Sequence, residues 1–276
     1  MTKITAIIIT KDEELHIERC INSLKNSVDK IVVVDSGSKD NTKEICHKKG
    51  VDFFYHKWSG YSDQINWAIK KVESFSDWIF RLDADEILEN HDISLKNFLN
   101  NLNESINGIY VKRNIYFNQK LVRSGDVYNK KILRIFRSGY GICDGRKMDE
   151  HIVVKDKVID SKIVISDISL LEFNDFIIKH LNYASLEIES SNNYNLEKYK
   201  FDNHNYRKKS FKKIFKNFLY YKIPSRLRPF MYYFYRMFLR GGIFDNTDGF
   251  YFHLFQVLMY RSFVEYLRYK KCTSKK

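Results

Sequence analysis

Proline and glycine are scarce, at 2 and 11 of 276 residues, which excludes collagen-like, linker-rich and loop-dominated architectures. Cysteine is sparse as well. Cys20, Cys46, Cys143 and Cys272 lie far apart with no C-x-x-C pair, excluding a disulfide framework or zinc site and fitting reduced thiols. Nowhere does an apolar run reach the ~18 residues of a spanning helix. The segment Met1–Thr10 is too short and too β-branched for a signal peptide and runs directly into charged residues. The expectation is a cytoplasmic protein. Neither a G-x-G-x-x-G fingerprint nor a P-loop G-x-x-x-x-G-K-[ST] occurs, so dinucleotide-dependent dehydrogenases and P-loop ATPases lose their main support.

What is present is globular: 44% hydrophobic and 29% charged residues, in a chain long enough for a large core. The net charge of +13 is segregated. Residues 201–276 hold 17 Lys and Arg against 4 Asp and Glu, together with 22 of the 43 aromatic residues. The first 200 residues are formally neutral, with 30 basic and 30 acidic groups. A balanced body therefore precedes a basic, aromatic region.

The first hundred residues alternate strand and helix. Ile4–Ile9, Lys30–Asp35, Val51–Tyr55 and Trp78–Leu82 are the expected strands, and the near-continuous apolar runs of the first two suit parallel strands buried on both faces. Between them, helices are expected from Lys11 to about Asn26, from the Asp40-Asn41-Thr42 turn to Gly50, and from Ser62 to Val72. This alternation predicts βαβ crossovers and a parallel sheet. Ligands of such a sheet bind beyond the carboxyl ends of the strands, where Thr10, Asp35 and the Asp83-Ala-Asp85 cluster fall. In an extended backbone Asp83 and Asp85 present two carboxylates to one side, a pair that suits a hard divalent cation, Mg²⁺ or Mn²⁺. The alternative is a polar turn capping a following helix. Ser36-Gly-Ser-Lys39 is able to hold a ribose or phosphate near helix N-terminal amides.

Four segments, Ile7–Glu14, Ile31–Thr42, Gln64–Ala68 and Leu82–Glu86, resemble the successive motifs of family 2 glycosyltransferases, in order and spacing, and more closely the bacterial lipopolysaccharide-core and capsule branch. The resemblance implies an α/β fold of GT-A type: a Rossmann-like mixed sheet flanked by helices, with a mostly helical, basic C-terminal extension. It implies a nucleotide-diphosphate sugar donor (a UDP-sugar), a divalent metal, Mn²⁺ or Mg²⁺, and inversion at the anomeric carbon. By position, Thr10 and Asp35 fall where the family binds the uracil or nucleoside, with Glu13 and Glu14 nearby and Ser36 in the loop able to hold a ribose or phosphate. Asn66 matches a polar residue beside the diphosphate. Asp83 falls where the ribose and metal are contacted, and Asp85 where the metal is ligated. The implied division is 1–160 for the catalytic domain, with 1–105 the nucleotide-sugar half and 106–160 the acceptor half, then 161–276 for the helical region.

Inverting transfer needs a carboxylate to take the proton of the attacking hydroxyl. Met148-Asp-Glu-His151 precedes a strand at Ile152–Val154, and Glu150 is the expected base, Asp149 its alternative, and His151 a metal ligand or phosphate partner. Strands are also expected at Gly108–Arg113 and Lys131–Arg137, and a helix at Lys179–Glu187 in which His180 reads as structural. From Tyr206 on, lysines interleave with Phe211, Phe215 and Phe218 at helical spacing. Such a helix docks on an anionic membrane, here the inner face of the cytoplasmic membrane beside a glycan or lipid-linked acceptor, or packs its aromatics on the body. Two other classes remain. A sugar nucleotidyltransferase would carry a Gly- and Arg-rich loop after the first strand, where this chain has Thr10-Lys-Asp-Glu-Glu14. A nucleic-acid-binding protein would show an RNP, KH or zinc-finger signature, which is missing, so no nucleic-acid partner is expected.

Overall fold

The structure is a computed structural model that describes residues 2–89, 94–145, 151–190 and 222–273. Two compact units divide the chain: residues 1–119 with 129–170, and residues 120–128 with 171–276.

The strands of the first unit, in chain order, are β1 (Ile4–Thr10), β2 (Lys30–Asp35), β3 (Asp52–Tyr55), β4 (Trp78–Asp83), β5 (Glu86–Leu88) and β6 (Ile106–Phe117). The two-residue β7 (Lys120–Leu121) belongs to the second unit, and β8 (Lys130–Arg137), β9 (Gly141–Cys143), β10 (Ile152–Val154) and β11 (Lys157–Ile168) return to the first. Helices α1 (Ile17–Leu24), α2 (Thr42–Lys48), α3 (Tyr61–Val72) and α4 (Leu95–Asn100) intervene. The main sheet runs β3-β2-β1-β4-β8-β6-β11-β5. Its first four strands are parallel, as the βαβ alternation predicts. Beyond them β8 pairs antiparallel with β4 and β6, β11 runs parallel to β6, and β5 closes antiparallel on β11.

Alternate residues of each buried strand feed opposite faces. Ile4, Ala6 and Ile8 pack with Ile17, Cys20, Ile21 and Leu24 of α1, Cys46 of α2 and Leu95 and Leu99 of α4. Ile7, Val32 and Val34 pack with Ile65, Ala68, Ile69 and Val72 of α3 and with the β9–β10 hairpin. The two-sided burial explains the unbroken apolar runs.

Two expectations change. Lys11–Glu14 is a loop, and the helix starts only at Ile17. The backbone amides of Asp12, Glu13 and Glu14 donate to Ser38 Oγ, Thr42 Oγ1 and Asp40 Oδ2 at 2.8, 2.9 and 2.9 Å. With those donors engaged and Asp12 in the left-handed region (φ 54°), the segment is stitched to the loop after β2 instead of coiling. The extended geometry expected through Asp83-Ala-Asp85 is also absent: β4 stops at Asp83, Ala84-Asp85 turn, and the chain enters a strand, β5, and not a helix.

That turn has a topological consequence. Two residues join β4 to β5, yet three strands lie between them in the sheet order. The sheet must therefore curl through β8, β6 and β11 until β5 comes back beside the end of β4.

The second unit is helical: α5 (Phe173–Ser190), α6 (Arg228–Phe234) continuing into a π-helical turn (Tyr235–Leu239), α7 (Thr247–His253) continuing into another (Leu254–Met259), and α8 (Tyr260–Thr273). Ala184 and Ile188 of α5 pack against Tyr260 and Val264 of α8. Glu187 accepts from Tyr260 Oη and Arg261 at 2.7 Å each. His180 is structural here, its Nδ1 2.8 Å from the Phe176 carbonyl. The Lys- and Phe-rich stretch around 206–218 lies outside the described residues.

Candidate active site

The strand register brings the polar strand ends together. Thr10 sits opposite Asp35 across β1 and β2, and Ile9 opposite Asp83 across β1 and β4. Asp35 is buried and its carboxylate organises the loop that follows. It accepts from Thr10 Oγ1 at 3.0 Å, Gly37 N at 2.7 Å, Ser38 N at 2.8 Å and Ser38 Oγ at 2.5 Å. Gly37 turns the chain with φ 100°, a region L side chains avoid. Ser36 donates through its amide and hydroxyl to the Thr10 carbonyl, at 3.1 and 3.2 Å. Thr10, Asp35 and Ser36 thus form one hydrogen-bonded cluster at the strand ends.

Glu13 does different work. Its carboxylate takes the His16 Nδ1–H at 2.7 Å, while His16 Nε2 accepts the Leu170 amide at 2.9 Å. Both nitrogens of the buried ring are satisfied by one neutral tautomer. Glu14 accepts from the Asn41 amide and side chain. Asn66 braces α3 against β9, donating to the Cys143 carbonyl at 3.1 Å and accepting the Cys143 amide at 2.8 Å.

The acidic turn is the richest part. Asp83 Oδ1 meets Arg81 at 2.7 Å and Oδ2 meets Arg134 at 2.8 Å. The same Arg134 nitrogen lies 2.5 Å from Glu86 Oε1, which Arg113 Nε approaches to 3.2 Å. Glu86 Oε2 accepts the Asp83 amide at 3.1 Å, and Arg113 also pairs with Asp167. Five strands, β4, β5, β6, β8 and β11, each contribute to this ladder. Glu86 and Arg134 are 0% and 1% exposed. Burial pushes the Glu86 carboxyl well above its ordinary range, repulsion from Asp83 adds to this, and Arg113 and Arg81 oppose it. Burial lowers the Arg113 pKa, but Asp167, Glu86 and Asp83 outweigh it, so the guanidinium is held firmly charged.

Asp85 is half-buried, its carbonyl accepting the Ile168 amide at 3.0 Å. Its carboxylate supports the charge of Arg19, which burial opposes. Beneath the turn the Cys20 thiol donates to the Asp83 carbonyl at 3.5 Å, and burial raises that thiol well above its usual pKa.

The structure therefore brings Thr10, Asp35, Ser36, Asp83 and Asp85 to one rim. His151 stands exposed at the start of β10, its amide bonded to Asp144 Oδ1 at 3.0 Å. Asp149 and Glu150 lie outside the described residues, in the connection from β9 to β10. Among the described residues no three His, Cys, Asp or Glu side chains stand ready to hold a metal ion. The arginines are what sequence reasoning missed. Their signal was there: a charge inside an otherwise buried strand, as Arg81 and Arg134 are, demands a partner.

A parallel half-sheet with its polar strand ends on one rim, running into a curled mixed half at an acidic turn, defines the GT-A class of α/β glycosyltransferases. Within that class the chain belongs to glycosyl transferase family 2, whose family model matches residues 5–145. It is 30% identical over 200 residues to the lipopolysaccharide core biosynthesis glycosyltransferase LpsC of Rhizobium meliloti, covering 67% of this chain and 70% of that one. An uncharacterized glycosyltransferase of Rickettsia felis is 47% identical over 88 residues, 32% of this chain; the match spans only 30% of that relative's length. Among solved structures, Staphylococcus aureus TarS 1–349 aligns with TM-score 0.44 at 17% identity, over 68% of this chain and 66% of that one. Glucosyl-3-phosphoglycerate synthase of Mycobacterium tuberculosis, solved with Mn²⁺, UDP and glucosyl-3-phosphoglycerate, aligns with TM-score 0.33 at 22% identity, over 42% and 44%.

Proposed function

We propose that this chain is an inverting, metal-dependent glycosyltransferase that moves a hexose or heptose from a nucleotide-diphosphate sugar, a UDP-sugar, to a lipopolysaccharide-core, capsule or other cell-surface glycan acceptor at the inner membrane face. The observation that carries the reading is the rim itself: a hydrogen-bonded cluster of Thr10, Asp35 and Ser36 beside the turn bearing Asp83 and Asp85. Membership of a glycosyltransferase family supports transfer over the nucleotidyltransferase and nucleic-acid alternatives. The likeness to LpsC supports a lipopolysaccharide-type acceptor.

In this reading residues 1–105 hold the donor and 106–160 the acceptor. Asp35 and Thr10 receive the nucleoside, while Ser36, Asn66 and Glu13 shape the wall around it. The donor set suits a hard cation that needs few protein oxygens. Asp83 already answers two guanidiniums, so Asp85 would hold Mn²⁺ or Mg²⁺, with Asp83 turned to the ribose and His151 a further ligand or phosphate partner. A bound cation of this kind offsets charge on a leaving diphosphate. Glu150, with Asp149 as its alternative, takes the proton from the acceptor hydroxyl as that oxygen attacks the anomeric carbon opposite the leaving group.

Asp85→Asn and Glu150→Gln should each lower turnover on the order of a hundredfold or more. Glu150→Gln should leave donor affinity near wild type, because the base touches the acceptor. Steady-state transfer and donor titration check both; near-wild-type turnover in the pair sinks the assignment of roles.

A further inference from the structure

One surface of the helical unit is not used by the sugar-transfer reading. Along α6 and its π-helical continuation, Leu227, Phe230, Met231, Phe234 and Phe238 recur at spacings of three and four, so they share one face. All are open to solvent, Leu227 at 56%, Phe230 at 60%, Phe234 at 56% and Phe238 at 53%. Leu239 and Phe244, next along the chain, are also open to solvent, at 68% and 89%. The opposite side of the same helix is buried through Pro229, Arg236 and Met237, so the helix is anchored and its apolar face points outward by construction. The Phe234 and Phe238 rings pack together, 4.6 Å between centroids. A contiguous exposed apolar ridge of this size marks an interaction site on a soluble surface.

Charge decides the partner. Residues 222–244 contain Lys222, Arg226, Arg228, Arg236 and Arg240 and no Asp or Glu. Arg236 is buried and bonded to the Gly125 carbonyl, and Arg228 and Arg240 are paired, so the exposed Lys222 and Arg226 are what keep the edge of the ridge basic. Glu265 pairs with Arg228 at 2.9 Å, Asp126 with Arg240 at 2.9 Å, and Asp245 accepts from Ser124 and from the Arg123 amide. A second copy of the chain would meet the ridge with the same basic rim, like charge against like. An anionic bilayer matches both features at once: aromatic and aliphatic side chains for the headgroup and acyl boundary, and basic groups for the lipid phosphates.

We infer that the α6 ridge, Leu227 to Leu239 with Phe244, is an in-plane docking surface for an anionic lipid bilayer. It rests on the membrane-surface part of the proposed function and fixes which face makes the contact. The assay contains no sugar nucleotide, so its failure is distinguishable from failure of the transferase reading.

The full chain is mixed with vesicles of phosphatidylcholine containing about 30 mol% phosphatidylglycerol, or of phosphatidylcholine alone, and sedimented. The wild type should partition onto the anionic vesicles. The Phe234→Ser, Phe238→Ser double variant should partition on the order of tenfold less with an unchanged melting temperature. Should that variant not fold, Phe234→Trp reads the same contact: its added emission should be quenched by brominated acyl chains in the anionic vesicles. Partition of the folded double variant equal to wild type, or no added quenching in Phe234→Trp, overturns the inference. So does a dimer in sedimentation equilibrium that the double variant dissolves while vesicle binding persists, because the ridge then serves a second copy.

Discussion

Arg134 shows how much a single residue holds in this site. It is buried in β8, yet it touches Asp83 at the end of β4 and Glu86 at the start of β5. Removing it takes from the buried Glu86 the guanidinium that contacts it most closely, leaving Arg113 and Arg81. Breaking such a buried pair costs about 3–5 kcal/mol, chiefly because a charge is left uncompensated. Arg134→Met should therefore lower unfolding free energy in urea by that amount. Adding Glu86→Gln should restore part of the loss, since the orphaned charge is gone. A loss below about 1 kcal/mol would mean the ladder is not holding the turn. None of this was legible from the motif. Asp83-Ala-Asp85 reads as two carboxylates awaiting a cation because a linear sequence shows no partner from other strands. The guanidiniums come from 2, 30 and 51 residues away in number, and only the curl of the sheet brings them together.

Among the elements, those buried on both faces were the legible ones. β1 and β2 carry near-continuous apolar runs because neither face meets water, and their short length and β-branched content mark them as strands. The loop Lys11–Glu14 misled for a physical reason. Acidic residues before an apolar periodic stretch are a helix-start signal, but here they answer the loop after β2, and the helix begins at Ile17 without them. In the helical unit, the junction of α7 with its π-helical turn holds an internal titrating group. His253 is fully buried, its Cε1 only 2.2 Å from where a Cβ on Gly125 would sit, and Asp245 lies 3.6 Å from its Nε2. Burial and then Arg236 push its pKa down to about 4, against the pull of Asp245. The unfolded chain takes up this proton near 6.5 and the folded chain only near 4. Stability is thus complete above pH 6.5 and declines as pH falls toward 4. His253→Gln should flatten that limb of the stability–pH profile measured by urea unfolding; an unchanged slope would show that His253 is not its source.

At the scale of the whole molecule, the sheet and its acidic turn lie in the formally neutral part of the chain, and the described residues of the basic, aromatic part are mainly helical, at Arg228–Phe234, Thr247–His253 and Tyr260–Thr273. No helix among the described residues is long and apolar enough to cross a membrane. What composition left open is the donor, because in the proposed site nucleoside choice would rest on a few hydrogen bonds around Thr10, Asp35 and Ser36. The central claim is that this rim holds a nucleotide-diphosphate sugar with the help of a divalent cation. Thermal-shift titration with UDP-, GDP- and ADP-sugars in the presence of Mn²⁺ tests it most directly. One nucleotide sugar, a UDP-sugar, should raise the melting temperature by several degrees at saturating concentration; chelation of the cation or Asp85→Asn should abolish most of that rise. A folded wild-type protein that no nucleotide sugar stabilises, with or without Mn²⁺, would contradict the account.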